Sequence, residues 1–105
     1  MIKNEEFLQL RVSYIEIGKM VKKYGYGQNN GILKILMGQV NCIDSDERDA
    51  EKMKYLIGSY SKLFVSRGGL SDFVIYDVDV QLRNQLNEKY NDEVKKVWSI
   101  MKDYI

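Results

Sequence analysis

Apolar side chains recur at alternating intervals of three and four residues between about residues 4 and 24. The series consists of Phe7, Leu10, Tyr14, Ile17, Val21 and Tyr24. This spacing places all six side chains on one face of an α-helix, whereas side chains on a β-strand change face at every residue. Lys22 and Lys23 suit the negative end of a helix dipole, and Gly25 follows them. We expect Leu8, Val12 and Ile15 to widen this apolar stripe on its flank. The pattern predicts an amphipathic first helix that ends near Tyr24.

Three further segments show the same periodicity, and the chain contains no Pro to interrupt them. We expect a buried second helix after Asn29 and Asn30, whose side chains offer N-cap oxygens. A third helix should begin at Asp44 or Ser45, whose side chains are suited to an N-cap. A last helix should begin at Asp77 or Asp79 and run nearly to the C-terminus.

The periodicity fails between about residues 65 and 76. Gly68 and Gly69 are adjacent there, and the stretch Phe73–Tyr76 has an extended character. We expect an irregular Gly-containing connection, with a short two-stranded element as the alternative. At 105 residues the chain has the length of one ordinary domain. The sequence therefore predicts an all-α fold, a single four-helix bundle-like domain over residues 1–105.

The composition removes most groups on which catalysis depends. The chain has no His, which excludes His-based general acid–base catalysis, His-containing triads and His metal ligands. Cys42 is the only cysteine, so no disulfide forms within the chain. Because Cys42 follows an apolar block that ends at Val40, we expect a packed thiol and not a nucleophile. We predict no catalytic, cofactor or metal site, and a protein that acts by binding a partner.

The chain lacks the features of a secreted or membrane protein. No uninterrupted apolar stretch follows the N-terminus that could serve as a signal-peptide core or a membrane span. A single cysteine fits a reducing compartment. We therefore expect a cytoplasmic protein without membrane contact.

The densest charge feature is acidic. It consists of Asp44, Asp46, Glu47, Asp49 and Glu51. These carboxylates suit the positive end of a helix dipole, and an exposed cluster of them also suits the Arg and Lys side chains of a basic partner. The start of the cluster resembles a calcium loop, but the later ligands and the glycine of such a loop are missing. A surface that binds a basic protein is the functional hypothesis.

Two loops add candidate contacts. Arg67-Gly68-Gly69 lacks the Lys and hydroxyl of a phosphate-binding loop, so a turn that presents Asp72 is the interpretation for that segment. The loop after the first helix combines Gly and Asn with Tyr26, a composition common in binding surfaces. The predicted partner-binding residues are Asp46, Glu47, Asp49, Asp72 and Tyr26.

The run from Tyr60 to Phe64, with Arg67-Gly68-Gly69-Leu70-Ser71-Asp72 and the apolar stretch after it, resembles a pattern of small bacterial proteins of unassigned function. Those proteins have an aromatic-ended helix, a Gly-rich turn, an extended apolar stretch and a closing helix, and the match covers about residues 55–104. They are similar to immunity proteins encoded beside bacterial toxins. The resemblance implies neutralisation of a cognate toxin by occlusion of its active surface, but it carries no site residues over.

Two other functions and two oligomeric states are open from the sequence. A regulator of phage or plasmid type could bind nucleic acid through a local patch of Lys19, Lys22, Lys23 and Lys34, although a net charge of +1 makes nucleic acid the weaker prediction. An enzyme built on carboxylates alone is disfavoured, since Glu5 and Glu6 are adjacent and do not share a helical face. The spacing in the first helix would also suit a coiled-coil seam, so the chain is expected to be a monomer or a homodimer.

Overall fold

The computed structural model describes residues 2–25, 27, 29–64, 69–70 and 73–105. These residues form four α-helices, which are α1 (Asn4–Tyr24), α2 (Asn30–Ile43), α3 (Asp49–Leu63) and α4 (Val80–Met101). The all-α, bundle-like fold is confirmed. No β-strand occurs in the described part of the chain, where residues 73–77 are extended without pairing to another strand. Residues 65–68 and 71–72 of the predicted irregular connection lie outside the described residues.

Helix α1 occupies the centre of the fold. It packs against both α2 and α4, while α3 packs against α2, giving an elongated body of 45 × 23 × 23 Å. The central residues of the predicted apolar face of α1 are buried, and Leu10 and Ile17 are fully inaccessible to solvent. Leu8 and Val12, which we expected to widen that face, are exposed instead because they lie on the far side of the helix from α2 and α4. The other helices complete the core with Leu36, Leu56, Tyr60, Leu63, Tyr90, Val97 and Met101.

The predicted start of the third helix is wrong. Helix α2 continues to Ile43, and Asp44 is its C-cap, with an N–H that donates to the Val40 carbonyl at 3.0 Å. The Ser45 hydroxyl donates to the carbonyl of Cys42 at 2.7 Å, so it serves the end of α2 and not the start of α3. Helix α3 begins at Asp49 instead, after an Arg48 N-cap whose side chain makes no capping bond.

The predicted start of the last helix is confirmed at one of its two alternatives. Asp79 is the N-cap of α4, and its carboxylate accepts a hydrogen bond from the Leu82 N–H at 3.1 Å. Asp77 accepts from the N–H of Asp79 at 2.9 Å and so orders the approach to the helix. A capping residue of this kind supplies the acceptor that the first turn of a helix otherwise lacks.

Two side chains of α4 hold the extended segment before it. The Asn87 amide accepts from the Ile75 N–H at 2.8 Å and donates to the Ile75 carbonyl at 2.9 Å, which satisfies both backbone groups of a buried residue. The Tyr90 hydroxyl donates to the carbonyl of Leu70 at 2.7 Å. These bonds replace the strand partner that the extended segment lacks among the described residues.

Replacing Asn87 with Ala should lower the free energy of unfolding by roughly 1–3 kcal/mol, because both backbone groups of Ile75 lose their partner. Urea denaturation followed by circular dichroism measures the change. Asn84→Ala is the matched control, since Asn84 is an exposed residue of the same helix and should change stability by less than about 0.5 kcal/mol. Equal effects of the two substitutions would show that the Asn87 amide does not support the segment.

Candidate functional site

An open polar cleft lies between the C-terminal half of α2 and the N-terminal half of α3. It has a volume of about 580 Å³ and is lined by Gly38, Asn41, Cys42, Ser45, Glu47, Glu51 and Tyr55. Two of these seven residues are acidic and none is basic. The cleft therefore has the charge and the size to receive a cationic side chain of another molecule.

Tyr55 of α3 approaches α2 closely at Gly38. A Cβ atom at this position would lie 2.7 Å from the Tyr55 hydroxyl oxygen, so a larger residue would require the phenol to shift. Tyr55 nevertheless remains 48% exposed. Its ring thus forms one wall of the cleft and still offers surface to a partner.

The turn between α2 and α3 positions the first carboxylate. The Ser45 hydroxyl oxygen accepts a hydrogen bond from the Glu47 N–H at 3.4 Å while its proton goes to the Cys42 carbonyl. Glu51 follows in the first turn of α3, and its carboxylate lies 4.0 Å from the Arg48 guanidinium. Both partners of this pair are well exposed, so it contributes little and leaves the Glu51 charge available.

The structure separates the acidic residues that the sequence grouped. Glu47 lines the cleft, and Asp46 is exposed on the turn before α3. Asp49 lies in a second depression with Arg11, Asp44 and Lys52, where two acidic and two basic side chains balance. The cleft therefore contains one of the predicted acids, and it adds Glu51, which the sequence placed in the cluster but not among the partner-binding residues.

The second depression is held by its own internal pairs. Arg11 donates to the Asp44 carboxylate at 2.7 Å, and this bond, with the charges of Arg11 and Lys52, holds the pKa of Asp44 below its ordinary value. The Lys52 ammonium donates to the carbonyl of Ile43 at 2.8 Å. Arg11 and Lys52 thus hold α1 and α3 to the end of α2, so this depression has a structural role.

Tyr26 and Asp72, the two predicted contacts in loops, lie outside the described residues. Asn41 and Tyr55 line the cleft and were missed by sequence reasoning. Their only sequence signal is Gly38, a glycine inside an apolar helical block that indicates close approach of another group. The approaching group cannot be identified without knowing that α3 packs on α2.

Cys42 lies half-buried in the wall of the cleft. Its thiol donates to the Lys52 carbonyl at 3.6 Å. Burial raises the pKa of the Cys42 thiol, and the nearby positive charge of Lys52 opposes this only in part. The thiol is therefore protonated near neutral pH and lacks the lowered pKa of a nucleophilic cysteine.

Two of the lysines predicted as a nucleic-acid patch already contact side chains of this chain. Lys19 pairs with Glu16 at 3.5 Å, and the Lys23 ammonium lies 5.3 Å from the centre of the Tyr24 ring. Lys19 and Lys22 line an apolar groove between α1 and α2. Lysines beside an apolar surface do not form the uninterrupted basic patch that a phosphate backbone favours.

Within the described part of the chain, no three His, Cys, Asp or Glu side chains group closely enough to hold a metal ion. None of the four helices is both long and apolar enough to cross a membrane.

Comparisons of the chain with protein-family models, with curated proteins and with solved structures found no match.

Cys42 should react with a chromogenic disulfide such as DTNB more slowly than glutathione does near neutral pH. Because burial raises the thiol pKa, the reactive thiolate is scarce there, and the rate should still rise at pH values where that of glutathione has levelled. Urea-unfolded protein is the control and should match glutathione. A fast reaction with a lowered apparent pKa would show an activated cysteine and contradict the structural role.

Proposed function

We propose that this chain is a non-catalytic binding protein that receives a basic side chain of a protein partner in the cleft between α2 and α3. The observation that carries the proposal is the joint presence of Glu47 and Glu51 in a cleft with no basic lining residue. Two exposed carboxylates, of which only Glu51 has a weak exposed pair with Arg48, steer a cationic partner and fix its position on contact.

Arginine suits the cleft better than lysine. A planar guanidinium can donate hydrogen bonds to two carboxylates and can stack on an aromatic ring. An ammonium acts as a point charge. Tyr55 supplies the ring and Asn41 supplies an amide for a remaining donor. Arg is also enriched among the few residues that dominate binding energy at an interface.

Within this class, the function that we favour is a bacterial immunity protein that neutralises a cognate toxin by occluding its active surface in the cytoplasm. The resemblance of residues 55–104 supports it, and the acidic cleft agrees with a partner that has a basic surface. A nuclease is the kind of toxin that best matches the charge. Its substrate-binding surface holds phosphates, and the carboxylates of Glu47 and Glu51 would take the place of those phosphates.

The chemistry of the chain supports binding over catalysis. The sequence contains no His, and burial raises the pKa of the only thiol in the cleft. The remaining cleft groups are an amide, a hydroxyl, a phenol and two exposed carboxylates. Such groups are suited to recognising a cation.

The test uses co-expression with the product of the adjacent gene, measured by survival of the host and by affinity of the purified pair. Changing Glu47 and Glu51 together to Gln should weaken binding roughly tenfold or more and reduce its salt dependence, because both charges of the cleft are lost. The double change Glu88→Gln with Asp92→Asn is the matched control on exposed positions of α4. It should leave affinity and protection unchanged.

Cys42 reports independently on the bound surface. A partner seated in the cleft should slow labelling of Cys42 in the native complex, since the thiol lies in the cleft wall. A complex that forms with unchanged labelling and unchanged affinity of the Gln variant would place the partner elsewhere. A neighbouring gene product that is neither toxic nor bound would refute the immunity function.

A further inference from the structure

Helix α1 carries a second helical series on the side opposite its core face, apolar at its centre and charged at its ends. It consists of Glu5, Leu8, Val12, Ile15, Lys19 and Lys22, again at intervals of three and four residues, and is here named the outer stripe. Leu8 is 62% exposed and Val12 51% exposed, while Ile15 is half-buried. The centre of the stripe is thus apolar and open, and each of its ends is charged.

Helix α2 widens this surface. Between the two helices runs an apolar groove of about 300 Å³ that Ile15, Leu33, Met37 and Val40 line. Met37 is 64% exposed, although a large apolar side chain gains free energy when it leaves water. Ile15 belongs both to the outer stripe and to the lining of the groove, so the two apolar surfaces meet at this residue. Exposed apolar surface of this kind commonly marks an interaction site.

Gly18 adds an independent observation. It lies in the middle of α1 at the edge of the groove, where glycine costs a helix about 0.5–1 kcal/mol relative to alanine. A Cβ atom there would meet nothing within 4 Å, so packing within the chain does not require a glycine. Gly18 is half-buried at this edge, and its small size leaves room beside the groove for a second helix to approach closely.

The outer stripe is complementary to itself when two copies run antiparallel. Positions 12 and 15, 8 and 19, and 5 and 22 lie symmetrically about the same midpoint of α1. A two-fold axis at that midpoint sets Val12 against Ile15 of the other copy and Leu8 against the aliphatic stem of Lys19. These are the alternating layers of an antiparallel two-helix seam.

The charges select the same arrangement. At both ends of the antiparallel seam Glu5 meets Lys22 of the other copy, and neither side chain has an ion pair with another described residue. A parallel pair would instead set Glu5 against Glu5 and Lys22 against Lys22. Like charges at matched seam positions disfavour that orientation.

From these observations we infer that two copies of this chain form an antiparallel homodimer through the outer stripe of α1, with Met37 and Val40 of α2 closing its side. From Glu5 to Lys22 the seam follows α1 for about 26 Å at about 1.5 Å per residue. It differs from the coiled-coil seam that the first-helix spacing suggested, because Phe7, Leu10, Tyr14, Ile17 and Val21 are core residues. The dimer needs no toxin, so it stands or falls separately from the proposed function.

The test is a charge exchange on the free protein, measured by sedimentation velocity over a range of concentrations. Glu5→Lys and Lys22→Glu should each weaken the dimer roughly tenfold, because each puts like charges together at both ends of the seam. The double variant Glu5→Lys with Lys22→Glu restores opposite charges and should return to within about twofold of the parent. Glu88→Lys and Lys62→Glu are controls at exposed positions away from the stripe.

A second substitution tests the apolar centre. Val12→Asp should abolish the dimer and leave the helical circular dichroism unchanged, since Val12 is exposed in the single chain. Val78→Asp is the control, because Val78 is more exposed still at 87% and lies far from the stripe in sequence. A parent protein that stays monomeric at hundreds of micromolar overturns the inference. The inference is also overturned if a dimer forms but the single charge changes do not weaken it or the double change does not restore it. Such a dimer must use another face.

Discussion

Burial of the inner face of α1 against α2 and α4 is the interaction on which the rest of the structure depends. Each large aliphatic side chain buried there contributes about 1.5–3 kcal/mol, and Leu10 and Ile17 are wholly inaccessible. Helix α3 packs against α2, and one buried amide ties it to the central helix. The Gln39 amide donates to the Tyr14 hydroxyl and to the Leu56 carbonyl, both at 3.3 Å, and so joins three helices at one point.

Helix α3 packs mainly on α2 rather than on the central helix α1, which explains why the cleft lies between α2 and α3. The two helices meet through Gly38 and Tyr55 at the cleft and through the Lys52 ammonium at the end of α2. A cleft at such a joint places groups from two helices around one ligand, while the α1 core fixes the position of α2. Binding there would add contacts to α3, the helix whose packing rests mainly on one neighbour.

Local chemistry made the helices predictable, and long-range contacts made the site unpredictable. The periodicity of α1 and the Asp79 cap act within a few residues, so the sequence shows them directly. The predicted start of α3 was wrong because both proposed caps have other partners. Arg11, which is distant in the chain, pairs with Asp44, and the Ser45 hydroxyl donates to the Cys42 carbonyl at the end of α2. Glu47 and Asp49 are two residues apart, yet they lie in different depressions because the chain turns into a helix between them.

The two stripes of α1 show why periodicity alone cannot identify a core. Both repeat at intervals of three and four residues, so both satisfy the helical pattern equally. They differ in content, since the inner stripe is uncharged and contains Tyr14, whereas Glu5 and Lys22 close the outer one. An uncharged stripe can be buried within its own chain at no electrostatic cost. A stripe with opposite charges at its two ends gains most from a partner that presents the same sequence in reverse, which is what a two-fold axis supplies.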